Sequence, residues 1–169
     1  MNTEGPYKSL LMTVLMTPDM ANFSGHVHGG AMLRLLDQVA YSCAARYSGC
    51  YVVTLSVDQV TFREPVHVGE LVSFKASINF TGNTSMEVGI HVEAESIRAR
   101  TSRHVITCYF TMIAVDEKGN SVPVPPLPIT NSIEQKRWAA AQLRREHRKE
   151  IERRSIEIRQ NPNPDTSAI

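Results

Sequence analysis

Within the first forty residues, Asn22-Phe-Ser-Gly25-His-Val-His-Gly29-Gly30 is followed, seven residues after Gly30, by Asp37. Two glycines opening a helix leave its first backbone N–H groups uncovered. The helix dipole adds partial positive charge at that point. Such an end can hold a developing oxyanion; alternatively, Gly29 and Gly30 simply let the helix pack closely. Asp37 is the one carboxylate in a long apolar stretch, so it needs a partner or a role. A salt bridge to Arg34 or a contact across an interface would give it a partner. At 1.5 Å per residue Asp37 lies about 10 Å beyond Gly30, too far to serve a carbonyl held at the start of its own helix. It could serve the corresponding site of a second subunit in a two-fold dimer. His26-Val-His28 has no third ligand nearby and is weak evidence for metal. Ser24 beside these histidines lacks the Gly-x-Ser-x-Gly elbow of a nucleophilic serine.

The elements that must position these residues follow from periodicity. Ala31 to Ser48 contains neither Pro nor Gly and is apolar on most sides, which predicts a buried helix of about five turns. Leu10 to Leu15 reads as a strand closed by Pro18. Val53, Leu55 and Val57 alternate in one phase, Val60 and Phe62 in the other, and a β-bulge near Asp58-Gln59 is the simplest account. Two further strands alternate, Val72 to Phe80 and Met86 to Ala94, joined by the turn Thr81-Gly82-Asn83-Thr84. His104 to Val115 is apolar on both faces, as a central strand is. One helix followed by consecutive strands predicts an α+β fold, a sheet wrapped over one buried helix, with dimerisation protecting its edges.

The 169 residues carry a formal charge of +1 that is unevenly spread. Residues 1–130 hold 9 basic and 11 acidic side chains, whereas 131–160 hold 9 and 5. The expected organisation is a domain over 1–122, a proline-rich spacer over 123–130, a charged helix over 131–160 and a flexible tail over 161–169. Five acids interspersed in the basic helix argue against a nucleic-acid face. Three cysteines without paired spacing argue against disulfides or a zinc cluster. No apolar run approaches a membrane span, and nothing reads as a signal peptide, so a cytoplasmic protein is expected.

Five blocks in order, Asn22-x-x-Gly25-x-x-x-Gly29-Gly30 with Asp37, Thr54-Leu-Ser-Val-Asp58, Phe62-Arg-Glu-Pro65-Val-His-Val-Gly69-Glu70, Gly82-Asn-Thr84-Ser85-Met-Glu-Val88 and Tyr109-Phe-Thr-Met-Ile-Ala-Val-Asp116, resemble the hotdog-fold acyl-CoA thioesterases of the bacterial and brain acyl-CoA hydrolase type. The resemblance implies a long central helix wrapped by an antiparallel sheet, dimers and often trimers of dimers, and hydrolysis of fatty acyl-CoA to free acid and CoA. It makes Asn22 and Asp37, from opposite subunits, the catalytic pair and gives the Gly29 or Gly30 N–H the oxyanion. Val57, Arg63, Pro65, Val66, Gly69, Gly82, Thr84 and Ser85 become CoA contacts. CoA is then part of the substrate, no resident cofactor is implied, and a nucleotide effector is left open. The alternative is a non-catalytic acyl-CoA or nucleotide-binding regulatory protein on the same fold. The C-terminal helix lies outside the shared blocks and resembles an extension in some bacterial members.

Overall fold

The computed structural model describes residues 7–160, so the tail expected over 161–169 lies outside the described residues. Six strands, β1 (Ser9–Leu15), β2 (Tyr51–Val57), β3 (Thr61–Phe62), β4 (Leu71–Thr81), β5 (Ser85–Ser96) and β6 (Thr101–Val115), accompany the helices α1 (Gly29–Ser48) and α2 (Ser132–Gln160). All pairings are antiparallel in the order β1-β4-β5-β6-β2, with β3 also on β6. The chain forms two compact units, 1–128 and 129–169.

In the first unit α1 starts where His28, in extended conformation, caps it, and ends where Gly49 turns left-handed at φ 70° and donates its N–H to Ala45 O. Met32, Leu35, Leu36, Val39, Ala40, Cys43, Ala44 and Tyr47 of α1 are buried. They share one core with Val72, Phe74 and Ala76 of β4, Val88, Ile90 and Val92 of β5, and Cys108, Phe110 and Met112 of β6. Each fully buried Leu, Val or Phe contributes about 1.5–3 kcal/mol. The alternation in β4 and β5 therefore fixes which sheet face meets the helix.

One sequence expectation is corrected. The bulge lies at Leu55, between the pairs Thr54↔Met112 and Ser56↔Thr111, and not near Asp58-Gln59. At residues 58–60 the strand stops, and the chain rejoins β6 as β3. The apolar phase shift has two sources, a bulge and a short excursion. Residues 123–128, within the expected spacer, are bonded to the first unit. Val124 is buried, Tyr47 Oη donates to Pro126 O at 3.0 Å, and Leu127 N donates to Thr81 Oγ1 at 3.0 Å. An extended chain without internal hydrogen bonds satisfies its backbone groups on the domain it crosses.

The second unit is mainly α2. Asn131 Oδ1 accepts from Glu134 N, while Glu134 Oε2 accepts from Thr130 N and Oγ1, a reciprocal capping box. Ion pairs of Arg153 and Arg154 with Glu150, and of Arg153 with Glu157, support its final turns. Among the described residues no helix is long and apolar enough to cross a membrane.

Candidate active site

The segment entering α1 is held by its own backbone. Asn22 N donates to His26 O at 2.7 Å, and Asn22 Oδ1 accepts from Ser24 N at 2.9 Å and His26 N at 3.1 Å. With Oδ1 so engaged, the donor face of this amide, Nδ2, has no protein partner among the described residues. Val27 N donates to Val66 O at 2.8 Å, and His26 bridges to His67, so the 63–70 segment is zipped beside the helix entrance. The two N–H groups expected for an oxyanion part ways here. Gly30 N donates to His28 Nδ1 at 2.8 Å, which leaves the Gly29 N–H as the open donor at the helix end. His28 is thus a helix cap, while the His26 ring packs 4.9 Å from that of His67.

Asn22, Gly29, Arg63, Pro65 and Val66 line one open cleft of about 340 Å³, together with Met32 and Phe62. Five of the twelve expected site residues are therefore neighbours in one protomer. Gly69, at φ 87°, turns the chain into β4 and donates its N–H to Met16 O. Val57 pairs with Phe110 at the end of β2. Arg63 N bonds to Val105 O and Ser85 pairs with Ile113, eight residues further along β6. At about 3.4 Å per residue the Gly82-Thr84-Ser85 turn is about 27 Å from the cleft. Its backbone is pinned by Gly82 N to Ser85 O and by Ala114 N to Thr84 O.

Asp37 is also absent from the cleft lining. It is solvent-exposed and accepts a 2.7 Å hydrogen bond at Oδ1 from Thr54 Oγ1. Thr54, not Arg34, is its partner. One helical turn to either side, Leu33 is 42% and Tyr41 38% exposed, and Tyr41 meets Tyr51 edge-on. On the neighbouring edge strand β2, Tyr51, Val53, Leu55 and Val57 are exposed as well. Asp37 and Thr54 thus sit in an uncovered apolar surface formed by α1 and a sheet edge.

Sequence reasoning missed two residues. Thr54 lay in a recognised block, but the apolar alternation of Val53, Leu55 and Val57 assigned it to the opposite face, and nothing local paired it with Asp37. Arg103 on β6 gives its guanidinium to Glu70, at 2.7 and 2.9 Å, to Pro65 O at 2.6 Å and to Glu64 at 3.0 Å. Burial alone would raise the Glu70 carboxyl; the bonds from Arg103 and from His67 N, with the Arg103 charge, outweigh it and hold Glu70 below the ordinary carboxylate range.

A long helix gripped by an antiparallel sheet, its N-terminus open at a cleft, is the hotdog arrangement. The thioesterase superfamily model matches residues 24–101. Protein VdlD of Helicobacter pylori is 50% identical over 139 residues, covering 82% of this chain and 79% of that protein. A hexameric acyl-CoA thioesterase solved without ligand superposes with a TM-score of 0.82 at 30% identity, covering 85% of this chain and 92% of that one. Solved variants of the Staphylococcus aureus acyl-CoA hydrolase, with alanine in place of an Asn, an Asp and a Thr, superpose with TM-scores of 0.80 to 0.82 at 25% identity, covering 91% of this chain and 90 to 93% of theirs. In that protein the three replaced positions follow one another at intervals of 15 and 17 residues. The intervals from Asn22 to Asp37 and from Asp37 to Thr54 are the same. The chain belongs to the thioesterase superfamily, among its hotdog-fold acyl-CoA hydrolases.

Proposed function

We propose that the protein hydrolyses fatty acyl-CoA to free fatty acid and CoA, in sites that each combine Asn22 and Gly29 of one subunit with Asp37 and Thr54 of the other. The observation that carries the reading is the separation itself. Eight residues of α1 part Gly29 from Asp37, about 12 Å along the axis, while a reacting water must lie within about 3 Å of both base and carbonyl. The uncovered stripe Leu33-Asp37-Tyr41 and the apolar edge of β2 offer the surface on which a second copy supplies what each cleft lacks. Antiparallel pairing of two β2 edges also carries the Gly82-Ser85 turn of the partner toward the cleft. The named hexameric relative supports assembly of such dimers into a trimer of dimers.

In the reaction, the thioester carbonyl oxygen accepts from Gly29 N–H, where the helix dipole favours the charge that develops. Asn22, held by its Oδ1, directs its Nδ2 hydrogens at the same centre. Asp37, oriented by Thr54, removes a proton from water as the oxygen attacks, or itself attacks to give a mixed anhydride that water then cleaves. In either route the C–S bond breaks, and the proton taken from water is returned to the thiolate. A thiolate with a conjugate-acid pKa of about 8.5 leaves without a strong general acid, so a sparse site suffices. Pro65 and Val66 flank the pantetheine arm and Arg63 faces phosphate.

Thiol release from acyl-CoA tests the proposal. Asp37→Ala is expected to abolish turnover while native mass stays that of the wild-type oligomer, and wild-type turnover in that variant sinks the assignment.

A further inference from the structure

All the nitrogens of one guanidinium are spent on a single loop. Arg103 reaches from β6 to Glu70 at the loop's end through both Nη atoms, to Pro65 O through Nη2, and to Glu64 at its beginning through Nε. Glu70 is 8% exposed, and its Oε2 also accepts from His67 N at 2.9 Å. One cation therefore ties residues 64, 65, 67 and 70 together, with the planar fork that a carboxylate accepts in two places. The loop so tied supplies Arg63, Glu64, Pro65 and Val66 to the cleft wall. It also accepts Val27 N at Val66 O and bridges His67 to His26, immediately before the helix cap. A shift of the loop moves the wall against which a bound ligand lies. The segment carrying Asn22 and Gly29 has its own bonds, from Ser24 N and His26 N to Asn22 Oδ1 and from Gly30 N to His28.

We infer that Arg103 is a positioning residue for the CoA moiety: it acts through Glu64, Pro65 and Glu70 to set the cleft wall and thereby governs substrate affinity more than the chemical step. The inference rests on the acyl-CoA hydrolase reading. A lysine at this position keeps the charge but cannot make the fork. Removing Arg103 alone strands a buried carboxylate and can unfold the loop. The two informative variants are therefore Arg103→Lys and the double variant Arg103→Met/Glu70→Met, which replaces the buried pair by packing side chains.

Steady-state thiol release, calorimetric titration with free CoA and native mass are measured for both. In each variant KM and the Kd for CoA are expected to rise about tenfold, the size of one lost charge-assisted hydrogen bond, with kcat within about threefold and mass unchanged. KM and Kd within about twofold of wild type in a folded variant would overturn the inference, and so would a loss confined to kcat. Absence of thiol release by the wild-type protein from every acyl-CoA tried would instead overturn the hydrolase reading. The CoA titration reads the Arg103 effect without turnover, which keeps the two failures apart.

Discussion

If each site is shared, two inactive variants must rescue one another. Asn22→Ala removes the amide of the cleft, and Asp37→Ala removes the exposed carboxylate beyond its reach on the same helix. Each homodimer then has two defective sites, with an expected loss of about 10²–10⁴-fold from removing a base or a transition-state donor. In a heterodimer one site receives Asn22 from one chain and Asp37 from the other and is complete, while the second site lacks both. Random exchange of equal amounts makes about half the dimers mixed, so recovery is about one quarter of wild-type activity in a two-fold dimer. The assay dissociates the two proteins under mild denaturant, reassociates them together, verifies exchange by native mass spectrometry with one protein isotopically labelled, and follows thiol release. Activity that stays at the mean of the two parents after verified exchange refutes a site built across the two-fold. It would require α1 to bring Asn22 and Asp37 to one substrate despite about 12 Å of helix between Gly29 and Asp37.

The remaining predictions concern single groups. Thr54→Val keeps the shape but deletes the hydroxyl that donates to Asp37 at 2.7 Å; a hydrogen bond to a charged group contributes about 1.5–3 kcal/mol, so kcat should fall about 10- to 150-fold with KM little changed. Glu70 is held below its ordinary range, so its contribution to stability is present above the unfolded carboxylate value and is lost as pH falls through the lower folded value. Thermal unfolding should accordingly show Glu70→Gln less stable than wild type at neutral pH, with the difference shrinking below about pH 4.3; a gap that persists or widens toward lower pH counts against the Arg103 fork. Burial pushes the Cys43 and Cys108 thiols up to about 12, while Cys50 is half-buried. A thiol reagent at pH 8 should label Cys50 alone in the native protein and all three cysteines in denaturant, read by peptide mass.

Local pattern determined much of this protein. The glycine-free, proline-free run after Gly30 could only bury itself as a helix, and the alternation from Val72 to Ile78 and from Met86 to Ala94 fixed two strands and their inward faces, whereas a register shift at Asn79 takes Phe80 out of that phase. The spacing of Gly30 and Asp37, read through helical rise, already set that carboxylate too far along the helix to serve a carbonyl at its start. These features rest on interactions between residues a few positions apart, which the order of residue types records directly.

Other features depended on which distant residues the fold made neighbours. Only the structure assigned the Gly30 amide to the His28 cap and left Gly29 as the donor. It gave Asp37 a partner 17 residues away, placed the bulge at Leu55, and turned Val53, Leu55 and Val57 outward along an edge. It laid residues 123–128 on the domain and brought Arg103 to Glu70, 33 residues apart. No local periodicity encodes such pairs. They form where an antiparallel sheet closes around α1, and the register of that closure is set by the whole core rather than by either partner.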